Sequence, residues 1–313
     1  MSRLWMLTFF VYCYIINMLF SILFVSFRPD YQADKIKERN DPMKKLLALV
    51  IAMAMLMSAA AFAEVVELPR NETLYFAGQQ WGTVNSWNII GTNQNNAMAI
   101  AGGPSGYRTL MFETLYMYNF MDGSMTGLLA DGDYVWNEGM TELTVKIKAA
   151  AKWSDGTPVT ANDVKRTFDI GVEIGNGTGT GYKAYIAEIV AADEKTVVLK
   201  AAVNEAGVPV NPLKVVDFIS GAPIAQAAWI DKVVARNNGD AIAILNDAGE
   251  DVVWSGPYTK FYADDQKVVL IRDDNYWGQD ASMWGKLPVP KYIAHAMYAD
   301  NAAGEVALKA GEV

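Results

Sequence analysis

The sequence predicts a mixed α/β (α+β) fold, and three observations carry that prediction. Residues 143–148, Leu-Thr-Val-Lys-Ile-Lys, alternate apolar and polar side chains, the period of a half-buried strand. A tight turn and a capped helix follow directly. Two further pairs of β-rich runs, at 186–201 and 261–272, are each split by a short polar turn. Strands and helices mix without strict alternation, which favours this class over a doubly wound parallel sheet.

Taken in order, residues 72–77 read as a strand. Residues 79–96 are polar and rich in Gly and Asn, with Trp81 and Trp87 embedded, and read as a loop. The apolar and aromatic run 110–118 is expected to form a short buried helix. Asp131-Gly132-Asp133 marks a turn before the strand at 143–148. In Trp153-Ser154-Asp155-Gly156-Thr157-Pro158, the Asp-Gly pair sets a tight turn. Thr160 and Asp163 then have the spacing of a capping box, and Val164, Phe168 and Val172 are expected on one helix face. The run Gly175-Asn176-Gly177-Thr178-Gly179-Thr180-Gly181 lacks the Lys-Ser pair and the preceding strand of a phosphate-binding loop, so it reads as a flexible connection. Further on, residues 225–235 are helical in character, 254–258 form a turn, 291–298 a strand and 301–310 a short helix.

Composition excludes several classes of function. The 313 residues carry a formal charge of −9 and no basic stripe, which argues against a nucleic-acid partner. The one cysteine, Cys13, rules out a disulfide framework, Cys-based zinc sites and cysteine catalysis. The one histidine, His295, leaves a Ser-His-Asp triad or a multi-His metal site little to build on, and on an alternating strand it reads as a structural residue. No cofactor is expected.

The N-terminus contains two apolar segments. Met43, Lys44 and Lys45, the 12 apolar residues 46–57 and Ala61-Phe62-Ala63 form a secretory signal with cleavage after Ala63. Residues 4–27 are also uncharged and long enough to span a bilayer. Since a complete signal follows, residues 1–42 read as upstream sequence from an early start, with a membrane anchor as the alternative. The mature segment from Glu64 carries 19 Lys and Arg against 31 Asp and Glu, as fits an acidic, soluble, monomeric periplasmic protein.

Four ordered blocks carry a family resemblance. They are the strand at 143–148 with Trp153 to Val164, then Ser255-Gly256-Pro257-Tyr258, then Asn275-Tyr276-Trp277-Gly278, then Gly311-Glu312-Val313. Together they resemble the family 5 extracellular solute-binding proteins of ABC transporters, the oligopeptide, dipeptide and nickel group, over residues 68–313. Residues 81–88, 152–156 and 291–301 are most similar to the cellobiose and oligosaccharide branch. The resemblance implies a periplasmic-binding-protein-like fold of two lobes that closes by a hinge over a solute and docks on an ABC permease. Family members are longer, so this chain is expected to hold mainly the first lobe, at 64–290, with 291–313 the crossing strand and start of the second.

For a sugar, the implied contacts are aromatic faces on the apolar ring faces, with amides and carboxylates on the hydroxyls. Gln80, Trp81, Asn85, Trp87 and Asn88 combine both kinds within one loop and are the leading ligand-binding candidates. Trp254, beside the Gly-Pro-Tyr turn, is a further one. Trp153, Tyr276 and Trp277 read as packing residues. A peptide ligand on the same fold is the alternative. A glycosidase using two carboxylates or a receptor sensor domain is more remote, because no carboxylate pair stands out by motif.

Overall fold

The computed structural model describes residues 68–77, 86–91, 110–264 and 267–312. The signal segment, residues 1–42, and Gln80, Trp81 and Asn85 lie outside the described residues. Among the described residues, no helix is long and apolar enough to cross a membrane.

Two four-stranded sheets organise the fold. The first has the order β1(Thr73–Ala77), β10(Tyr292–Ala296), β9(Lys267–Arg272), β8(Tyr258–Ala263). In it β1 runs parallel to β10 and the other pairs are antiparallel. The second is wholly antiparallel, in the order β4(Val135–Trp136), β5(Glu142–Lys146), β7(Thr196–Ala201), β6(Ile186–Ala191). Alternation sets its register: Leu143 faces Leu199 and Val145 faces Val197, all four buried. A small hairpin of β2(Tyr116–Tyr118) and β3(Met125–Gly127) stands beside them.

Helix α1(Ala161–Ile174) serves both cores. Val164 and Phe168 pack in the core with β5, β6 and β7, while Ile170 and Ile174 pack in the core with β8, β9 and β10. The expected capping box is present, with Thr160 N donating to the Asp163 carboxylate at 2.7 Å. Val172 is not on the buried face and is 41% exposed. Each four-residue step advances about 400° around a helix, so a 164–168–172 row drifts off its face by the third member. Gly171 takes that place inside.

Two expectations are overturned. Residues 110–118 are not a helix. Their carbonyls are taken by distant amides instead of the next turn: Leu110 O accepts from Tyr258 N, Met111 O from Gly256 N, Glu113 O from Ile224 N, and Leu115 O from Leu128 N. The segment runs extended between the cores and ends in β2. The glycine-rich run is not a flexible connection either. Gly175 ends α1 in the left-handed region (φ 69°), and Asn176 caps a new helix, α2(Gly177–Tyr182). The glycines allow close approach: a Cβ on Gly179 would lie 1.8 Å from Gly171 O. Helices α3(Pro212–Gly221), α4(Ala227–Arg236), α5(Ala241–Leu245) and α6(Asn301–Ala310) complete the described elements. Of these, α4 and α6 fall where the sequence predicts helices.

Gly179→Ala should therefore cost about 1–3 kcal/mol or more, the scale of an overpacked interior site. Gly181→Ala, with nothing within 4 Å of its Cβ, should be neutral or slightly stabilising. Urea midpoints compared at equal slope check the pair.

Candidate ligand-binding site

Two of the sequence candidates, Trp87 and Asn88, lie in the described segment 86–91. Both are inside the fold, at 6% and 0% exposure. Asn88 Nδ2 donates to Ile244 O at 2.8 Å and its Oδ1 accepts from Ile90 N at 3.0 Å. Trp87 N donates to Ala248 O at 2.8 Å, and the Lys260 ammonium stands 5.8 Å from the Trp87 ring centre. In this lobe the two side chains hold the segment against α5 and the turn after it. Gln80, Trp81 and Asn85, just upstream, are not described.

Trp254 is elsewhere, half-buried on the wall of an open recess of about 160 Å³. Its neighbours there include Lys152, Trp153, Asp273, Asn275 and Trp277. Its indole Nε1 donates to Asp273 Oδ2 at 3.2 Å, and its backbone is stitched to Ser154, whose N donates to Trp254 O at 2.8 Å. The recess is smaller than the roughly 300–1,000 Å³ of an enclosed small-molecule site. On its own it can seat only part of a ligand. Trp153 is a packing residue, as the sequence implied: its Nε1 donates to Asp163 Oδ2 at 3.2 Å inside the core.

Beneath the recess, Glu113 is a charged residue that the sequence reading passed over. It is 2% exposed. Tyr276 OH donates to its Oε1, and Trp277 Nε1 donates to its Oε2 at 2.9 Å and to Ser255 O at 2.9 Å. Ser255 Oγ accepts from Glu113 N at 3.0 Å. The Gly-Pro-Tyr turn and the Tyr-Trp-Gly block thus meet on one carboxyl group. Burial raises its pKa to about 8, against the lowering pull of Tyr276, Trp277 and the Lys148 charge. The detectable signal was a lone Glu in the apolar run 110–118.

Lys148 is the second buried charge, 7% exposed. Its ammonium donates to Gly127 O at 2.9 Å, to Leu128 O at 3.0 Å and to Ala130 O. Burial lowers its pKa, and Asp131 and Glu113 oppose that shift. His295, at the centre of β10, is buried and has a structural place in the sheet.

The raised pKa of Glu113 has a definite sign. The folded state holds the proton more tightly than the unfolded chain, so this contribution is full below about 4.5 and lost as pH rises through about 8. Glu113→Gln should flatten that part of the stability profile, whose steepest slope is about 1.4 kcal/mol per pH unit. Glu113→Ala, which strips partners from two buried donors, should cost about 1–3 kcal/mol for each. Urea unfolding at pH 5, 7 and 9 reads both variants.

The geometry of these blocks agrees with comparisons to known proteins. The model of "Bacterial extracellular solute-binding proteins, family 5 Middle" matches residues 124–313. A Brucella ovis chain named as an ABC transporter peptide-binding protein is 30% identical over 232 residues, covering 70% of this chain and 38% of its own length. A peptidoglycan-binding protein of Agrobacterium fabrum is 27% identical over 176 residues, 56% of this chain and 26% of that one. Among solved structures, the mannohexaose-bound periplasmic oligopeptide-binding protein of Thermotoga maritima superposes with a TM-score of 0.63 at 24% identity, over 79% of this chain and 41% of that one. A peptide-bound oligopeptide-binding protein of Listeria monocytogenes gives 0.57 at 17% identity, over 78% and 46%. The chain therefore spans well under half the length of these relatives. With the family model covering more than half of it, the chain belongs to the bacterial extracellular solute-binding proteins of family 5.

Proposed function

We propose that the protein is the solute-capturing component of an ABC importer, taking an oligosaccharide of the cello- or β-gluco type and handing it to a membrane permease. The family match over residues 124–313 carries the transport part of this reading. In the mechanism, the described fold supplies one wall of a cleft, a solute bridges to a second lobe, and closure follows because the closed state makes the better contacts. The protein is a binding protein and not an enzyme. It is exported by the signal cleaved after Ala63, acts as a monomer and needs no cofactor. Residues 64–290 make up the first lobe, and 291–313 lead into the second.

The sugar reading is supported by the pairing of Trp81 and Trp87 with Gln80, Asn85 and Asn88, and by the mannohexaose held by the Thermotoga protein of the same fold. Trp254 adds a half-buried indole on a polar-lined recess. A peptide is the second reading, favoured by the names of the Brucella relatives at 30% identity.

The test is a melting-temperature panel on the full-length gene product without its signal, using cello-, manno- and xylo-oligosaccharides and short peptides. A ligand bound only by the native state raises the melting point by mass action, by about 2.7 kcal/mol of added stability at one hundred times its Kd. The expected result is a shift with one sugar series, reduced in Trp254→Ala. A shift with peptides alone would overturn the sugar assignment and keep the transport role.

A further inference from the structure

Segment 86–91 has no regular secondary structure, yet its polar groups are bound to three other parts of the fold. The first is the turn after α5. Ser86 Oγ donates to Asp247 O at 2.8 Å, and the Asp247 carboxylate is itself held by Arg236 and by Asn237 Nδ2 at 2.8 Å. Gly249, at φ 62°, comes so close that a Cβ there would lie 2.5 Å from Asn88 N. The second is the end of α5, where Ile244 O takes the Asn88 amide. The third is Asn176, between α1 and α2 and 5% exposed. Its Oδ1 caps α2 by accepting from Gly179 N at 3.0 Å, while its Nδ2 donates to Ile90 O at 3.1 Å.

We infer that this clamp positions the ligand-facing residues directly upstream, Gln80 to Asn85, and that Asn176 is a positioning residue for the solute although it does not touch it. The inference rests on the reading that Gln80, Trp81 and Asn85 face the ligand. The physical reason is preorganisation. A loop whose stem is already fixed loses less conformational freedom on binding, so more of the contact energy appears as affinity. A stem tied through helix caps and buried amides transmits a remote change to the loop, because it has no slack to absorb it.

Asn176 allows the two roles to be separated. Asn176→Asp keeps the oxygen that caps α2 and removes only the donor to Ile90 O. Asn176→Ser keeps an N-cap oxygen on a shorter, neutral side chain that cannot reach Ile90. Asn211→Ala is the control. It removes an equivalent cap from α3, where Asn211 accepts from Lys214 N, and it should lower stability without touching segment 86–91.

Amide hydrogen exchange on the full-length gene product is measured at Trp87, Ile90 and Gly91, all donors in the clamp. Titration calorimetry with mannohexaose and with a nonapeptide accompanies it. Both Asn176 variants should exchange faster at these three amides, with β5 and β7 unchanged. They should also bind the probe that wild type binds at least about fivefold more weakly. Asn211→Ala should do neither. Unchanged exchange in both Asn176 variants overturns the clamp. Faster exchange with unchanged affinity overturns the positioning role alone. A wild-type protein that binds neither probe removes the ligand reading, and the positioning role with it, whereas the exchange result still reports on the clamp.

Discussion

Between Phe112, in the core with β8 to β10, and Leu115, in the core with β5 to β7, the chain places the carboxyl group of Glu113 where water does not reach it. Burying a carboxylate without partners would cost several kcal/mol. Here the donors come from elements far apart in sequence: Tyr276 and Trp277 after β9, with Ser255 before β8 completing the network. The polar group gives orientation where apolar packing alone would tolerate sliding. A Leu at this position could fill the volume, but it could not require the Tyr-Trp-Gly block to meet the Gly-Pro-Tyr turn at one angle. The recess that holds Trp254 lies directly above this contact, so its shape inherits that constraint.

Much of the fold was legible where local chemistry and tertiary structure agree. The strands at 143–148, 186–201 and 291–298 were readable because alternation and burial share one period, and Thr160 with Asp163 because a capping box is complete within four residues. The misreadings have a common cause. Residues 110–118 look helical when only hydrophobicity is counted, but their carbonyls answer to amides up to about 150 residues away. The glycines of 175–181 look permissive, while their use here is to let two backbones touch. Neither demand is visible in a local window. The site was legible only in part. Trp254 was found by its neighbouring turn, whereas Glu113 and Asn176 matter through partners that only the folded chain supplies.

The two buried charges play different parts. Lys148 satisfies three carbonyls of the 127–130 bend, a local repair of a turn that cannot bond itself. Glu113 joins segments that no local rule connects. The surface ion pairs at Arg236, Asp247 and Asp251 belong to a third kind. There, hydrogen bonds from Lys232, Arg236 and Trp229 outweigh the effect of burial on Asp251 and hold its pKa below the usual carboxylate range. Such a network orders the turn after α5 more than it stabilises the whole, since partly exposed pairs are each worth little.

The parallel pairing of β1 with β10 sets an order of events. Thr73 lies opposite Tyr292, so the first described strand waits more than two hundred residues for its neighbour. The sheet of β4 to β7, drawn from residues 135–201, closes over much shorter loops. Loop-closure entropy makes the short-range sheet the earlier one to form and leaves the long-range sheet for last. Until then β1 offers two open edges, and a chain emerging N-terminus first must carry them through the whole of its synthesis.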